Sequence, residues 1–233
     1  MNFDYFLDIV LSLIAVFAAI VLHEVSHGYV AYRLGDPTAK AHGRLTLNPL
    51  AHVDPIGTIL VPLILVVFRS PFLFGWAKPV PINPNYFRDP FKGMLYVAIA
   101  GPATNVGLAL ATAGIGRAVL AGIPNDLLLG TAFLSYFIRD LFYLLGVFVI
   151  INVILAVFNM IPIPPLDGSR VLTYFLPAEG KRVMLMLERY GMWIMLGFLF
   201  ILYQTSLLDI SHGFWLQIWH GLLGVRWLAS MTL

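Results

Sequence analysis

The sequence predicts an all-α integral membrane protein: a polytopic helical bundle of about 4–6 transmembrane segments, with a small β-hairpin or re-entrant insertion after the first core helix. Of its 233 residues, 60% are hydrophobic and 11% are charged, whereas a soluble domain has roughly 25% charged residues. Several apolar stretches reach the ~20 residues that cross a hydrocarbon core. A net charge of +2 with dispersed basic residues predicts no nucleic-acid partner.

Three apolar segments, at about 9–32, 94–120 and 137–160, are long enough to span and form the predicted core. The first segment has no basic region ahead of it and no small-residue cleavage site, so we do not expect a removable signal peptide. We expect one domain over residues 1–233. It comprises the core, an insertion at 36–92, and peripheral C-terminal helices at 183–233, of which 183–203 is predicted to span and 214–233 to cross or lie in the interface.

The insertion contains features of two kinds. Its apolar run at 56–68 has 13 residues and is interrupted by Gly57 and Pro62, which favours a re-entrant piece over a full crossing. Alternating runs at 44–47 and 79–82 predict two short strands. Pro79 and Pro81 cannot donate to a central ladder, so the second strand should be an edge.

Basic residues concentrate in two loops, which should therefore face the cytoplasm. They are Arg33, Lys40, Arg44, Arg69, Lys78, Arg88 and Lys92 before the segment at 94–120, and Arg170, Lys181 and Arg182 after the segment at 137–160. The loop between these two segments has fewer basic residues and should lie outside. We expect an outside N-terminus and insertion into the plasma (inner) membrane.

The sequence His23-Glu24-Val25-Ser26-His27 lies near the cytoplasmic end of the first segment. On a helix, His23 and His27 are one turn apart and project from one face, so two imidazole nitrogens can converge on one metal ion. Glu24 is close enough to reach a water on that ion. Ionisable groups deep in a membrane helix cost about 2–3 kcal/mol each, which favours a functional cluster over hydrogen-bonded core histidines.

A catalytic zinc site needs a third protein ligand, and the absence of cysteine leaves histidines and carboxylates. Asp167 is favoured because it follows the rigid Pro162–Leu166 run and precedes Gly168, at the membrane face of His23 and His27. This placement requires that the segment at 56–68 does not cross completely. The remaining candidates are Asp36, His42, His52, Asp54, Glu179, His212 and His220.

The motif at 23–27, combined with Asn159-Met160-Ile161-Pro162-Ile163-Pro164-Pro165-Leu166-Asp167-Gly168, resembles the paired motifs of the site-2 protease family of intramembrane zinc metalloproteases. Gly101-Pro102-Ala103-Thr104-Asn105 resembles the family's small-residue motif. The resemblance implies a minimal member without a PDZ or appended regulatory domain. It implies one Zn²⁺ held by His23, His27 and Asp167, with Glu24 as the catalytic carboxylate and Asn159 near the scissile bond.

We therefore expect an intramembrane zinc endopeptidase that takes transmembrane proteins from the lipid bilayer as substrates, in regulated intramembrane proteolysis. Glu24 would activate a water on the zinc ion. Three residues have simpler interpretations: Asn159 as a cap of the proline-rich turn, and Gly101 and Asn105 as residues of close helix packing. The alternative function is a zinc-dependent permease or a non-proteolytic zinc-binding membrane protein.

Overall fold

The structure, a computed structural model, describes residues 3–68, 75–123 and 132–205. Regular structure in these ranges is helical. The α-helices in chain order are α1 Phe3–Arg33, α2 Thr38–Ala41, α3 Val61–Val67, α4 Pro90–Gly122, α5 Ala132–Asn159, α6 Asp167–Phe175, α7 Ala178–Glu188 and α8 Gly191–Gln204. Two 3₁₀ turns, Pro49–His52 and Pro84–Tyr86, and a π-helical turn, Pro55–Leu60, lie in the insertion between α1 and α4.

Three helices are long and apolar enough to cross a membrane, over Asp4–Arg33, Pro90–Gly122 and Tyr136–Asn159. They coincide with the segments predicted at about 9–32, 94–120 and 137–160. The all-helical class is confirmed. The described residues supply three such helices, or four if α7 and α8 together count as one span, so the predicted count of 4–6 is not confirmed.

The apolar segment expected at 183–203 is not one straight helix. Its axis turns by 82° between α7 and α8. The charged residues Lys181, Arg182 and Glu188 belong to α7, whereas α8 is apolar from Met192 to Leu202. The bend therefore separates a polar piece from an apolar piece, which a count of apolar residues does not reveal. The expected final segment at 214–233 lies outside the described residues.

The insertion is held together by buried polar groups. Asp36 is fully buried and accepts hydrogen bonds from the backbone N–H of Thr38 at 2.9 Å and of Asn83 at 2.7 Å. This contact ties the end of α1 to the chain that leads into α4. Consequently, the insertion begins and ends at the same end of the helix bundle.

The predicted β-hairpin is not confirmed, because the described residues contain no strand at 44–47 or 79–82. The two runs still lie side by side, because the Arg44 side chain donates to the Lys78 carbonyl at 2.5 Å and to the Pro79 carbonyl at 3.4 Å. A strand ladder needs backbone N–H donors, and Pro79 and Pro81 have none. The apolar run at 56–68 forms the turn Pro55–Leu60 and helix α3, and its re-entrant placement stays a prediction.

The three long helices pack around small and aromatic side chains. Phe142 and Val149 of α5 are fully buried against Ala109 and Ala113 of α4. Small residues on α4 allow the helix backbones to approach closely, which is the usual basis of helix association in lipid. At the other end of α1, Arg139 donates to both carboxylate oxygens of Asp8 at 2.9 Å.

We expect Phe142→Ala to lower the free energy of unfolding by about 3–5 kcal/mol, because it empties a buried site between α4 and α5. Phe137→Ala is the matched control, since Phe137 lies on the same helix and is 60% exposed. Thermal unfolding in detergent measures both variants. Equal losses in the two variants would contradict the described helix packing.

Candidate metal centre

Two histidines on one face of α1 form the base of the site. His23 and His27 are each 5% exposed, and their Nε2 atoms lie 3.0 Å apart. Their four-residue spacing gives this geometry on a helix, as the sequence predicts. Both rings lie inside the first candidate membrane span.

Asp167 completes a cluster of three. Its Oδ2 atom lies 3.2 Å from Nε2 of His23 and 3.2 Å from Nε2 of His27. This oxygen is buried and has no hydrogen-bond partner in the described part of the chain. Burial by itself would raise the pKa of the Asp167 carboxyl, but the adjacent imidazoles lower it more, so the net pKa is below its usual range.

The chain before Asp167 places this carboxylate at the end of α5. Asp167 is the first residue of α6, after the proline-rich turn that closes α5. A Cβ atom on Gly168 would lie 2.2 Å from the Met160 carbonyl oxygen. The turn therefore brings α6 so close to the end of α5 that only glycine fits.

The outer nitrogens of both rings are bonded to α4. Nδ1 of His23 lies 2.5 Å from Oδ1 of Asn105, and Nδ1 of His27 lies 2.6 Å from the Val97 carbonyl oxygen. Both partners are acceptors, so the network assigns the proton of each ring to Nδ1. Each Nε2 then has a free lone pair directed at the other cluster atoms.

The donor set fits a zinc ion. Zinc binds imidazole nitrogen and carboxylate oxygen at ~2.0–2.2 Å in tetrahedral geometry, which separates ligand atoms by about 3.3 Å. The three atoms here are separated by 3.0–3.2 Å. Oδ2 of Asp167 has no hydrogen-bond partner among the described residues and faces the unprotonated Nε2 atoms of both rings. A bound cation would give all three atoms a partner.

Gly101 of α4 lies directly against the two rings. A Cβ atom at this position would be 2.5 Å from Cε1 of His23 and 2.5 Å from Nε2 of His27. The predicted role of Gly101 in close packing is thus correct, and its packing partners are the imidazoles themselves.

Sequence reasoning assigned Asn105 to packing alone and did not identify Asn152. The Asn105 side chain is fully buried and donates through Nδ2 to Oδ1 of Asn152 at 2.7 Å, and Asn152 donates to the Phe148 carbonyl at 2.8 Å. A chain of hydrogen bonds thus runs from α5 through α4 to His23. The available signal was an asparagine in the middle of an apolar helix, which is costly unless bonded.

Glu24 faces the same cavity as the cluster of His23, His27 and Asp167. Its Oε2 atom accepts a hydrogen bond from the backbone N–H of Val80 at 3.0 Å. The cavity has a volume of about 890 Å³ and is lined by Glu24, His23, His27, Asp167 and Asn159 among mainly apolar side chains. Nδ2 of Asn159 donates to the Leu155 carbonyl of its own helix at 3.0 Å.

The other candidate ligands lie elsewhere. Within the described ranges, His23, His27 and Asp167 form the one group of three possible metal ligands. Asp36 and Asp54 accept backbone N–H groups in the insertion, His42 is exposed, and buried His52 contacts the Thr46 carbonyl through Nε2. Glu179 is on α7, outside the cluster, and His212 and His220 fall outside the described residues.

Comparison with known proteins gives consistent matches. The model of peptidase family M50 matches residues 137–202, which include Asp167. "Putative zinc metalloprotease YwhC" of Bacillus subtilis is 39% identical over 209 residues, 88% of this chain and 87% of that one. "Putative zinc metalloprotease MJ0611" of Methanocaldococcus jannaschii is 33% identical over 71% of this chain and 70% of its own length.

"Putative zinc metalloprotease Rip2" of Mycolicibacterium smegmatis is 29% identical over 76% of this chain and 61% of its own length. No solved structure matches the chain. With three helices that can span a bilayer, these matches define the class: a membrane zinc metalloprotease. The chain belongs to peptidase family M50, the site-2 protease family.

We expect Gly101→Ala to weaken zinc binding by about 10- to 100-fold, because the added Cβ must displace both imidazoles. Gly107→Ala is the control on the same helix, since a Cβ there meets nothing within 4 Å. Competition with a chelator measures the zinc affinity of each variant. Equal affinities in the two variants would contradict the close contact between α4 and the rings.

Proposed function

We propose that this protein is an intramembrane zinc endopeptidase that hydrolyses peptide bonds in or near transmembrane segments of other membrane proteins. The observation that carries this proposal is the convergence of three possible ligand atoms within 3.2 Å of one another, two of them on a helix that can span a bilayer. A carboxylate outside the ligand set, that of Glu24, faces the same cavity.

His23, His27 and Asp167 hold one zinc ion in this proposal. Zinc bound there would lower the pKa of a coordinated water and polarise the scissile carbonyl. Three protein ligands leave one coordination position open, as catalytic sites require. The hydrogen bonds at Nδ1 keep both imidazoles in the tautomer that presents Nε2 to the ion.

Glu24 acts as the general base and then as the general acid. Its carboxylate accepts the proton of the attacking water and delivers that proton to the leaving amine, so no covalent intermediate is needed. This role requires Glu24 to be near the metal without binding it. Its position one residue after His23 and its place on the cavity wall support the role.

The cavity suits an unwound apolar peptide. Four methionines, Met94, Met184, Met192 and Met195, are among its lining residues, and flexible thioethers adapt to apolar side chains of different shapes. Asn159 is the proposed substrate contact at the end of α5. To reach a peptide through Nδ2, its amide would exchange the bond to Leu155 for one to substrate.

The chain at 76–81 supplies backbone partners for the unwound substrate by β-augmentation. The N–H groups of residues 76, 78 and 80 all donate to the protein, which is the alternation of an extended backbone. Residues 77, 79 and 81 then face the opposite edge, where both prolines offer carbonyl oxygens but no N–H; the Pro79 oxygen also has a long contact, 3.4 Å, with Arg44. Such an edge can accept substrate N–H groups.

The topology in this proposal places the N-terminus outside, the active site near the cytoplasmic face, and residues 1–233 in one domain of the plasma membrane. The segment at 56–68 enters without crossing, and a count of 4–6 spans is part of this proposal. The tie between Asp36 and Asn83 supports an insertion that begins and ends on one side. Labelling of the insertion solely from outside would contradict this orientation.

Glu24→Gln should abolish cleavage of single-span helices while keeping one zinc per chain, because only the base is lost. Asp167→Ala should lose both zinc and cleavage. Metal analysis and a cleavage assay on a panel of helices measure both variants. Full activity in Glu24→Gln would favour the permease or the non-proteolytic zinc-binding protein, and full zinc occupancy in Asp167→Ala would exclude Asp167 as a ligand.

A single cysteine at Ala77 should crosslink to an arrested substrate in the Glu24→Gln background, because Ala77 lines the cavity. The chain has no native cysteine, so the crosslink reports one position. Leu50→Cys is the control, since Leu50 is 77% exposed in the insertion and is not among the cavity residues. Absence of capture at residue 77, or equal capture at residue 50, would refute β-augmentation here.

A further inference from the structure

The backbone N–H of Val80 contacts Glu24 across 56 positions of sequence, at 3.0 Å from Oε2. We propose that Val80 is a positioning residue: its N–H fixes the Glu24 carboxylate in the orientation that hydrolysis needs. The inference rests on the proposed function, because it assigns a role to Val80 through Glu24.

Hydrogen bonds on both sides of Val80 fix the position of its N–H group. On one side, the Lys78 N–H donates to the His52 carbonyl at 2.9 Å. On the other side, the Asn83 N–H donates to buried Asp36 at 2.7 Å. The Val80 side chain is 6% exposed and packs on α1 beside Gly28, where a Cβ would lie 2.8 Å from Val80 Cγ1.

The two flanking prolines make this contact specific to one residue. Pro79 and Pro81 have no backbone N–H, so Val80 carries the single amide donor of this tripeptide. A slip of the chain by one position would bring a proline to Glu24 and no donor. Proline also restricts the residue before it to extended conformations, which limits the other orientations that the Val80 amide can adopt.

The Val80 N–H holds one of the two carboxylate oxygens of Glu24, Oε2. Hydrogen bonds from an N–H to an ionised carboxylate are short and stronger than those between neutral groups. With Oε2 held by Val80, the other oxygen is the one that meets the attacking water. A carboxylate without this donor would rotate in a cavity of about 890 Å³ and spend less time in the reactive orientation.

The kinetic test compares Val80→Pro, which removes the N–H, with Val80→Ala, which keeps it. In the zinc-loaded full chain, we expect Val80→Pro to lower kcat for a single-span substrate on the order of tenfold, with zinc content unchanged. Val80→Ala removes buried side-chain packing but keeps the N–H, so its kcat should fall less than that of Val80→Pro. The proposal is overturned if Val80→Pro keeps or raises kcat, if its effect lies in KM alone, or if Val80→Ala loses as much.

Hydrogen exchange tests the same contact without a substitution at Val80. Because the run from Pro79 to Pro81 has one amide proton, its exchange in overlapping peptides reports on Val80 alone. We expect slow exchange in the wild type and exchange about tenfold faster in Glu24→Ala, which removes the acceptor. Equal rates in the two proteins would overturn the proposal, even if Val80→Pro does not fold.

The failure of this inference can be separated from the failure of the proposed function. Activity in Glu24→Gln would refute the hydrolytic role of Glu24. An inactive Glu24→Gln together with an unchanged kcat in Val80→Pro would refute only the positioning role of Val80.

Discussion

The site depends on the way α4 holds two imidazoles of α1 by their outer nitrogens. Val97, Gly101 and Asn105 are spaced four residues apart and therefore share one face of α4. The Val97 carbonyl accepts the Nδ1 proton of His27, and the Asn105 side chain accepts that of His23. Gly101, between them, leaves room for both rings. If these acceptors were absent, each buried ring would lose a partner at a cost of about 1–3 kcal/mol, and Nε2 would not be fixed as the free nitrogen. The proposed zinc site is therefore as much a property of α4 as of the histidine motif.

Topology supplies the third member of the cluster, Asp167. The insertion leaves and rejoins the bundle at one end, where Asp36 contacts Asn83, so α4 starts beside the end of α1. Helix α5 then returns toward the same end, and the proline-rich turn delivers Asp167 to the two imidazoles. Gly168 permits this approach because a side chain would collide with the end of α5. A carboxylate 140 positions after His27 along the chain thus reaches the cluster through the order of the helices.

The sequence was informative where chemistry is tied to local spacing. The four-residue interval between the histidines places both rings on one face. The helix lengths, together with the prediction that the short apolar run at 56–68 does not cross, place Asp167 at the end of the bundle where the histidines lie. Contacts between helices were not predictable in this way. The bond between Asn105 and His23 depends on the relative rotation of α4 and α1, which a single sequence does not encode in any local pattern. The bend between α7 and α8 was missed because apolar residues lie on both sides of it, at 183–187 and 192–202. The strand prediction already placed Pro79 and Pro81 at an edge, but a sequence does not reveal that the one amide between them, that of Val80, donates to Glu24.

The insertion links the proposed substrate edge to the carboxylate of Glu24, the proposed base. One extended piece of chain, held by the hydrogen bonds of Lys78 and Asn83, includes both the proposed substrate edge at residues 77, 79 and 81 and the Val80 N–H that donates to Glu24. Its distance from Glu24 is therefore set by the hydrogen bonds at Lys78 and Asn83. In the proposed function, these bonds support both the substrate edge and the orientation of the base.

X-ray absorption spectroscopy of the zinc-loaded protein tests the central claim most directly, because it reports the ligands of the ion itself. The structure predicts one zinc per chain with two imidazole nitrogens, one carboxylate oxygen and one further oxygen at ~2.0–2.2 Å. A zinc shell with one imidazole or none would contradict the account.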